Sequence, residues 1–459
     1  MTTIIKCCID KKYIKIPLKI LDSQTKITLI EAIKKDLVFK INPINLFSNY
    51  KFNNNEKIIK LYEYNEDNEI IFIPKFTVLS NITFKFVKDI RDKNNENIEI
   101  IFNGKLNNQQ IETVNNTENQ LLNNYNILYS LPCGFGKTVL SIYWICRLKL
   151  QTFILVHKYD LLNQWIQRLK DFTNIKEDDI YCIGSTKQNR NDKNKKYKIY
   201  IGMIQTIMRD DFDDEEIPDT IGLLICDECH HLGAECFCKG LKKIPSKYYI
   251  SLSATPNRKD GNDKIYQSYT GYNIYKQERL FNDPVSIKIC KYSFDSDKMK
   301  KYEKIFNGFN RSKIINILSE DQERNKKILD LIFELIKNNR KILVLSDRIN
   351  QLDLFYEVLK DNNVNRSYGK YREDINNCEI LLATYSMAAE GLDVKQMDTL
   401  IMATPRNNII QCCGRIMREE NNRERIIYDI IDNDINDYTF YVKLKYYKTI
   451  SKSITEINF

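Results

Sequence analysis

Between an apolar strand-like run and the helix-like stretch Val139 to Leu150 stand eight residues, Leu131-Pro132-Cys133-Gly134-Phe135-Gly136-Lys137-Thr138. Gly134 and Gly136, either side of Phe135, let the backbone curl so that successive amides point inward, and the N-terminus of the following helix adds a favourable dipole. Such a loop cradles nucleotide phosphates, with Lys137 reaching the terminal ones and Thr138 ligating a magnesium ion. Leu131 stands where the usual pattern has Gly or Ala. About ninety residues on, Asp227-Glu228-Cys229-His230 directly follows another apolar run. Asp227 would hold the cation, and Glu228 would position or activate an attacking water. Alone, that acidic pair also reads as a surface turn ending a strand. A third element, Gln411-Cys412-Cys413-Gly414-Arg415-Ile416-Met417-Arg418, places two arginines three apart on a helix. By themselves they describe a solvated face. Beside the other two motifs they read as cross-cleft arginines, able to reach a γ phosphate only when two domains close.

The elements that must hold these residues recur from about residue 125 onward. Short apolar runs at Asn126 to Ser130, Thr152 to Val156, Lys198 to Ile204, Gly222 to Cys226 and Tyr248 to Leu252 are separated by stretches long enough for a helix. Runs of that kind predict parallel strands covered on both faces. A second series stands at Lys341 to Leu345, Glu379 to Ala383, Thr399 to Ala403 and Ile426 to Ile431, with an apolar helical stripe at Leu352, Phe355, Tyr356 and Leu359. The expectation is α/β: two tandem doubly wound parallel-sheet domains, at 106–290 and 291–459, with a junction near 285 to 315. Residues 1–105 alternate apolar and polar, as at Glu69 to Pro74 and Asn97 to Phe102, and predict a small mixed or β-rich accessory domain without a phosphate loop. That domain either touches the substrate or serves as a packing or partner module.

Length and composition agree with a multidomain chain. Its 459 residues exceed one ordinary domain. No run approaches the ~18–20 uncharged apolar residues of a bilayer span, and the first thirty residues lack a signal-peptide core. Thirteen cysteines, odd in number and scattered through apolar runs, read as reduced thiols in a cytoplasmic or nuclear setting. A formal charge of +9, from 70 basic and 61 acidic residues, suits a polyanionic partner without demanding one.

With the three motifs in place, the chain from about Leu106 resembles the superfamily 2 helicases, and within them the XPB-related group with phage branch-migration helicases and the transcript-release helicases of large DNA viruses. The motifs stand in that family's order, with Ser253-Ala254-Thr255-Pro256, Lys341 to Arg348, and Leu382 to Asp393 between the acidic box and the last motif. The resemblance implies two RecA-like domains with ATP bound in the cleft between them, and ATP and Mg2+ as cofactors. It further implies that Gln110 reads the adenine, that Gly391 and Asp393 approach the nucleotide from the second domain, and that Gln411 opens the final motif. Ser253 and Thr255 would couple hydrolysis to strand movement, while His157, Lys158, Gln205, Thr206 and Thr384 would contact the nucleic-acid backbone. DNA is the track it favours over RNA, with transcription or repair proteins as partners and a viral factory or virion as setting for a large-virus source. One departure stands just past Thr255, where Arg258-Lys259-Asp260 replaces the Arg-Glu-Asp of XPB proteins.

Rival readings remain. Cys226, Cys229, His230, His231, Cys236 and Cys238 have spacings that resemble paired zinc ligands, although Asp227 and Glu228 are needed at the nucleotide. The run Lys187 to Lys198 either tracks a phosphate backbone or is a solvated loop. At the level of function, an RNA helicase and an idle nucleic-acid-binding scaffold are the alternatives to a DNA motor.

Overall fold

The computed structural model describes residues 2–41, 57–132, 134–184, 195–229, 240–253, 263–277, 285–294, 297, 300, 311–374, 377–390, 396–407, 409–417, 423–433 and 438–459. Two compact units divide the chain: Met1–Leu131 with Gly136–Gln277, and Pro132–Phe135 with Glu278–Phe459.

The first unit begins with β1 (Thr3–Ile9) and β2 (Tyr13–Pro17). The turn between them is set by the Asp10 carboxylate, which accepts the N–H groups of Lys12 and Tyr13 at 2.7 Å each. β3 (Val38–Ile41) and β4 (Lys57–Lys60) make a separate antiparallel pair. β5 (Glu63–Asn65), β6 (Ile70–Pro74) and β7 (Ile82–Asp89) complete a five-stranded mixed sheet of order β5-β6-β2-β1-β7. Period-two alternation puts Ile5, Cys7, Ile9, Ile14 and Ile16 on its buried face, with Leu29, Ala32 and Ile33 of the helix Ser23–Asp36 in the same core cluster. Lys75 anchors this sheet to residues 246–249: its Nζ donates to the carbonyls of Ser246 and Lys247 and lies 4.0 Å from the Tyr249 ring centre. Burial pushes this amine well below its ordinary pKa. The run Asn97 to Phe102 is not a strand of this sheet. Its backbone instead bridges to Leu150 and Thr173, close to the ends of two helices.

Next come β8 (Asn126–Ser130), β9 (Thr152–Val156), β10 (Ile180–Ile183), β11 (Ile199–Met203), β12 (Leu223–Cys226), β13 (Tyr248–Ser253) and β14 (Ile274–Lys276). They form one sheet of order β10-β11-β9-β12-β13-β8-β14, parallel at every pairing. Every residue of β8, β9, β12 and β13 is buried, as a sheet with helices on both faces requires.

The second unit repeats the plan. β15 (Val285–Tyr292), β16 (Ile342–Ser346), β17 (Val364–Ser367), β18 (Ile380–Thr384), β19 (Thr399–Met402), β20 (Ile426–Asp432) and β21 (Ser451–Asn458) form a parallel sheet of order β17-β18-β16-β19-β20-β15-β21. Numbered within its own unit, each sheet reads 3-4-2-5-6-1-7. The chain therefore holds two doubly wound α/β domains of one topology behind a small N-terminal sheet. β10, β14, β15, β17 and β21 escape the sequence reading, because the first four are short or polar-punctuated and β21 alternates exposed residues at a sheet edge.

Within the second unit, Arg324 is wholly buried and paired bidentately with Asp432 at 2.7 and 3.1 Å, and it donates to the Ala403 carbonyl at 2.7 Å. Removing one partner strands a buried charge, which costs more than replacing both with apolar groups. Asp432→Ala is expected to lower the stability of this unit by about 3–5 kcal/mol in urea unfolding. The joint change Arg324→Met with Asp432→Leu should lose much less; equal losses would show that the pair's charge is not what matters.

Candidate nucleotide and nucleic-acid site

In a parallel sheet all the strands end on one edge, and the loops leaving that edge make the site. Strand order in the first unit decides which loops are neighbours. β11 leads to Gln205, β9 to His157, β12 to Asp227, β13 ends in Ser253, and β8 leads to the glycine loop. Asp227 and the loop are thus separated by β13 alone, two inter-strand spacings or about 10 Å, a gap suited to phosphates and a metal ion. The Ser253 carbonyl ties the two sides together by accepting the Leu131 N–H at 3.2 Å.

The glycine loop has the backbone its chemistry needs. Gly134 and Gly136 adopt φ of 86° and 85°, in the left-handed region, and Gly136 caps the helix Lys137–Leu148. A Cβ on Gly136 would lie 2.5 Å from Nε2 of Gln110, so the side chain expected to read the adenine packs directly on the loop. Gln110 is fixed there by a reciprocal cap on the helix Asn108–Asn124: its N–H donates to Asn107 Oδ1 at 2.8 Å, and its Oε1 accepts the Asn107 N–H at 2.9 Å. Lys137 Nζ donates to the Leu131 carbonyl at 3.3 Å. Phe135 is buried and Thr138 half-buried.

The Asp227 side chain is buried, and its backbone N–H extends the ladder by donating to Leu155 O at 2.9 Å. One carboxylate oxygen accepts the Trp165 indole N–H at 2.8 Å and the other accepts the Glu228 N–H at 2.9 Å. Burial and then the Glu228 charge push the Asp227 carboxyl up to about 6, while the Trp165 hydrogen bond, Lys137 and His157 pull the other way. Glu228 itself sits at φ 46°, a left-handed conformation that costs a non-glycine residue about 1–2 kcal/mol. His157 is lowered by burial, against the pull of Asp227 and Glu228.

Beyond the nucleotide residues, Gln205 Nε2 donates to the His157 carbonyl at 2.8 Å. Thr206 and Lys158 are half-buried beside them in sequence, so the two segments expected to contact a backbone are neighbours at adjacent strand ends. In the second unit Thr384 ends β18, its hydroxyl 3.1 Å from that of Ser386. Gln411 and Arg415 lie buried on the short helix Ile410–Arg415, and Arg415 Nε donates to the Ala388 carbonyl. Thr255, Gly391, Asp393 and Arg418 lie outside the described residues, as do His230, His231, Cys236 and Cys238 of the zinc reading. Among the described residues no cluster has a metal-holding set of ligands, the cysteines are free thiols, and no helix is long and apolar enough to cross a membrane. Trp165 went unnoticed in the sequence. Its only signal there is a helical apolar stripe with Leu161, Leu162 and Leu169, which speaks of packing and not of an indole aimed at a carboxylate.

Residues 103–258 match the family described as type III restriction enzyme, res subunit. A protein of Acanthamoeba polyphaga mimivirus named "Putative ATP-dependent RNA helicase L396" is 37% identical over 317 residues, 66% of this chain and 60% of that protein. The chain is thus similar to viral proteins named as helicases. It spans less than two thirds of the length of its mimivirus relative. "Putative helicase 161L" of Invertebrate iridescent virus 6 is 28% identical over 409 residues, covering 83% of this chain and 88% of that protein. Among solved structures, the Pyrococcus furiosus Hef helicase domain is 13% identical with a TM-score of 0.48, covering 73% of this chain and 97% of that one.

Gly136→Ala is expected to lower the thermal unfolding midpoint, since left-handed strain of about 1–2 kcal/mol adds to the contact with Gln110. Adding Gln110→Ala relieves the contact and leaves the strain, so the double variant should recover part of the loss. Full recovery would mean that the left-handed backbone is not needed.

Proposed function

We propose that this chain is a helicase that hydrolyses ATP with magnesium and couples the reaction to movement along nucleic acid, with DNA as the preferred track. The observation that carries the reading is the pairing of two left-handed glycines at a helix start with a buried Asp227 one strand away, under the electrostatic influence of Lys137. The donor chemistry fits the group: Thr138 and Asp227 offer the hard oxygens that Mg2+ prefers, and the loop amides with Lys137 offer positive charge to phosphate. Bound there, Mg2+ neutralises charge on the phosphates. The loop orients the nucleotide, Gln110 selects the base, and Glu228 orients a water and takes its proton as the water oxygen bonds the γ phosphorus and the bond to ADP breaks. By the motif resemblance, Arg415, Arg418 and Gln411, with Gly391 and Asp393, take part in the same ATPase cycle. His157, Lys158, Gln205, Thr206 and Thr384 hold phosphates of the track, and Ser253 with Thr255 links the two tasks.

Lys137→Ala and Glu228→Gln should each abolish nucleic-acid-stimulated ATPase while differing in binding. The first should weaken ATP affinity, and the second should retain bound ATP because the phosphate contacts remain. Wild-type turnover in either purified variant would sink the assignment.

DNA is supported by the motif resemblance to XPB-like proteins, with transcription or repair as the setting. RNA is a second reading, favoured by the name of the mimivirus relative. Backbone contacts alone do not separate the two, since both tracks present phosphates; helix form and the 2′-hydroxyl do. Duplex DNA should stimulate ATPase more than RNA of equal length, both falling steeply with salt. Equal or greater stimulation by RNA across a salt series would replace the DNA reading with the RNA one.

A further inference from the structure

Of the chain's two tryptophans, Trp144 directs its indole N–H to the Tyr129 hydroxyl at 2.8 Å, a contact inside the core. Trp165 directs its own to Asp227 Oδ2 at 2.8 Å. It comes from the helix Tyr159–Phe172, is 1% exposed, and points away from the polar face of that helix. A side chain needed only to fill this space would do so as well without a donor, as phenylalanine does. With the Glu228 N–H on Oδ1, the indole leaves each carboxylate oxygen with one fixed donor, so both the tilt and the rotation of the group are set before any cation arrives. Groups that orient a metal-ligating side chain in this way are worth about 10–100-fold in metal affinity. The same helix begins immediately after His157 and Lys158, so the residue that holds the carboxylate is built on the element that continues the proposed track contact.

We infer that Trp165 is a positioning residue for the cation of the nucleotide site, its indole N–H presenting the Asp227 carboxylate to Mg2+. This rests on the reading that Asp227 takes the metal. With a non-hydrolysable ATP analogue carrying a fluorophore, the Mg2+ concentration for half-saturation should rise about 10–100-fold in Trp165→Phe, while analogue binding without metal stays as in wild type. In an Asp227→Asn background the same change should add nothing further, because the indole acts through the carboxylate it touches. In Trp144→Phe, whose remaining indole is Trp165, Mg2+ with unlabelled analogue should change the tryptophan emission, a readout that does not depend on Trp165→Phe folding well. Unchanged half-saturation in Trp165→Phe, independent effects in the double variant, or no Mg2+-dependent emission in Trp144→Phe would each overturn the inference. Wild-type Mg2+ affinity in Asp227→Asn alone would instead remove the underlying site assignment.

Discussion

The parallel pairing of β8, β13, β12 and β9 is the constraint on which the candidate nucleotide site depends. Ser130 stands opposite Ser253, Cys226 opposite both Ser251 and Leu155, and each strand runs out into its functional loop at the same edge. A slip of one residue in any of these pairings would turn an apolar strand to its other face and move a loop by about 3.3 Å. Complete burial of the four strands on both faces is what forbids the slip.

Against that rigid edge the site holds groups in costly states. Burial and the neighbouring Glu228 charge raise the Asp227 carboxyl from its ordinary value to about 6, so its ionised form is disfavoured there, a penalty that a divalent cation at the carboxylate would offset. Glu228 adds a left-handed backbone next door. Elsewhere the chain treats buried charge differently. Arg324 is neutralised by Asp432, and Lys443 by Asp429, whose Oδ2 also accepts the Tyr447 hydroxyl at 2.8 Å. Lys75 is held by two carbonyls and two aromatic faces with its proton affinity lowered. These are structural solutions in which charge is matched or suppressed, whereas the Asp227–Glu228 pair places two acids side by side.

Identical strand order in the two sheets gives the chain two versions of one scaffold with different loops. Strand one of the first unit opens into the glycine loop, while strand one of the second, β15, is an eight-residue strand flanked by β20 and β21. Strand five leads to Asp227 in the first unit and to Ala403 and Thr404 in the second, where the Thr404 carbonyl accepts the Tyr385 hydroxyl at 2.7 Å. The same edge thus carries a buried acidic pair once and packing groups the other time, which is how one fold can host distinct roles.

The sequence by itself determined the motif chemistry and the strands that carry it, because a phosphate loop needs its glycines and a doubly covered strand needs a continuous apolar run. Nine strands of the two large sheets were legible to within a residue or so on that ground, and the Asn-x-x-Gln cap at Asn107 and Gln110 is a local pattern of the same kind. What lay beyond it were contacts between segments distant in the chain and strands without an apolar run. The shared strand order, the edge strands β14 and β21, the Gln110 amide against Gly136, and the Trp165 indole on Asp227, sixty-two residues away, are settled only when helices and strands pack. An indole in an apolar stripe and an indole aimed at a carboxylate have the same periodicity, and only the tertiary structure says which carboxylate stands within reach of its N–H.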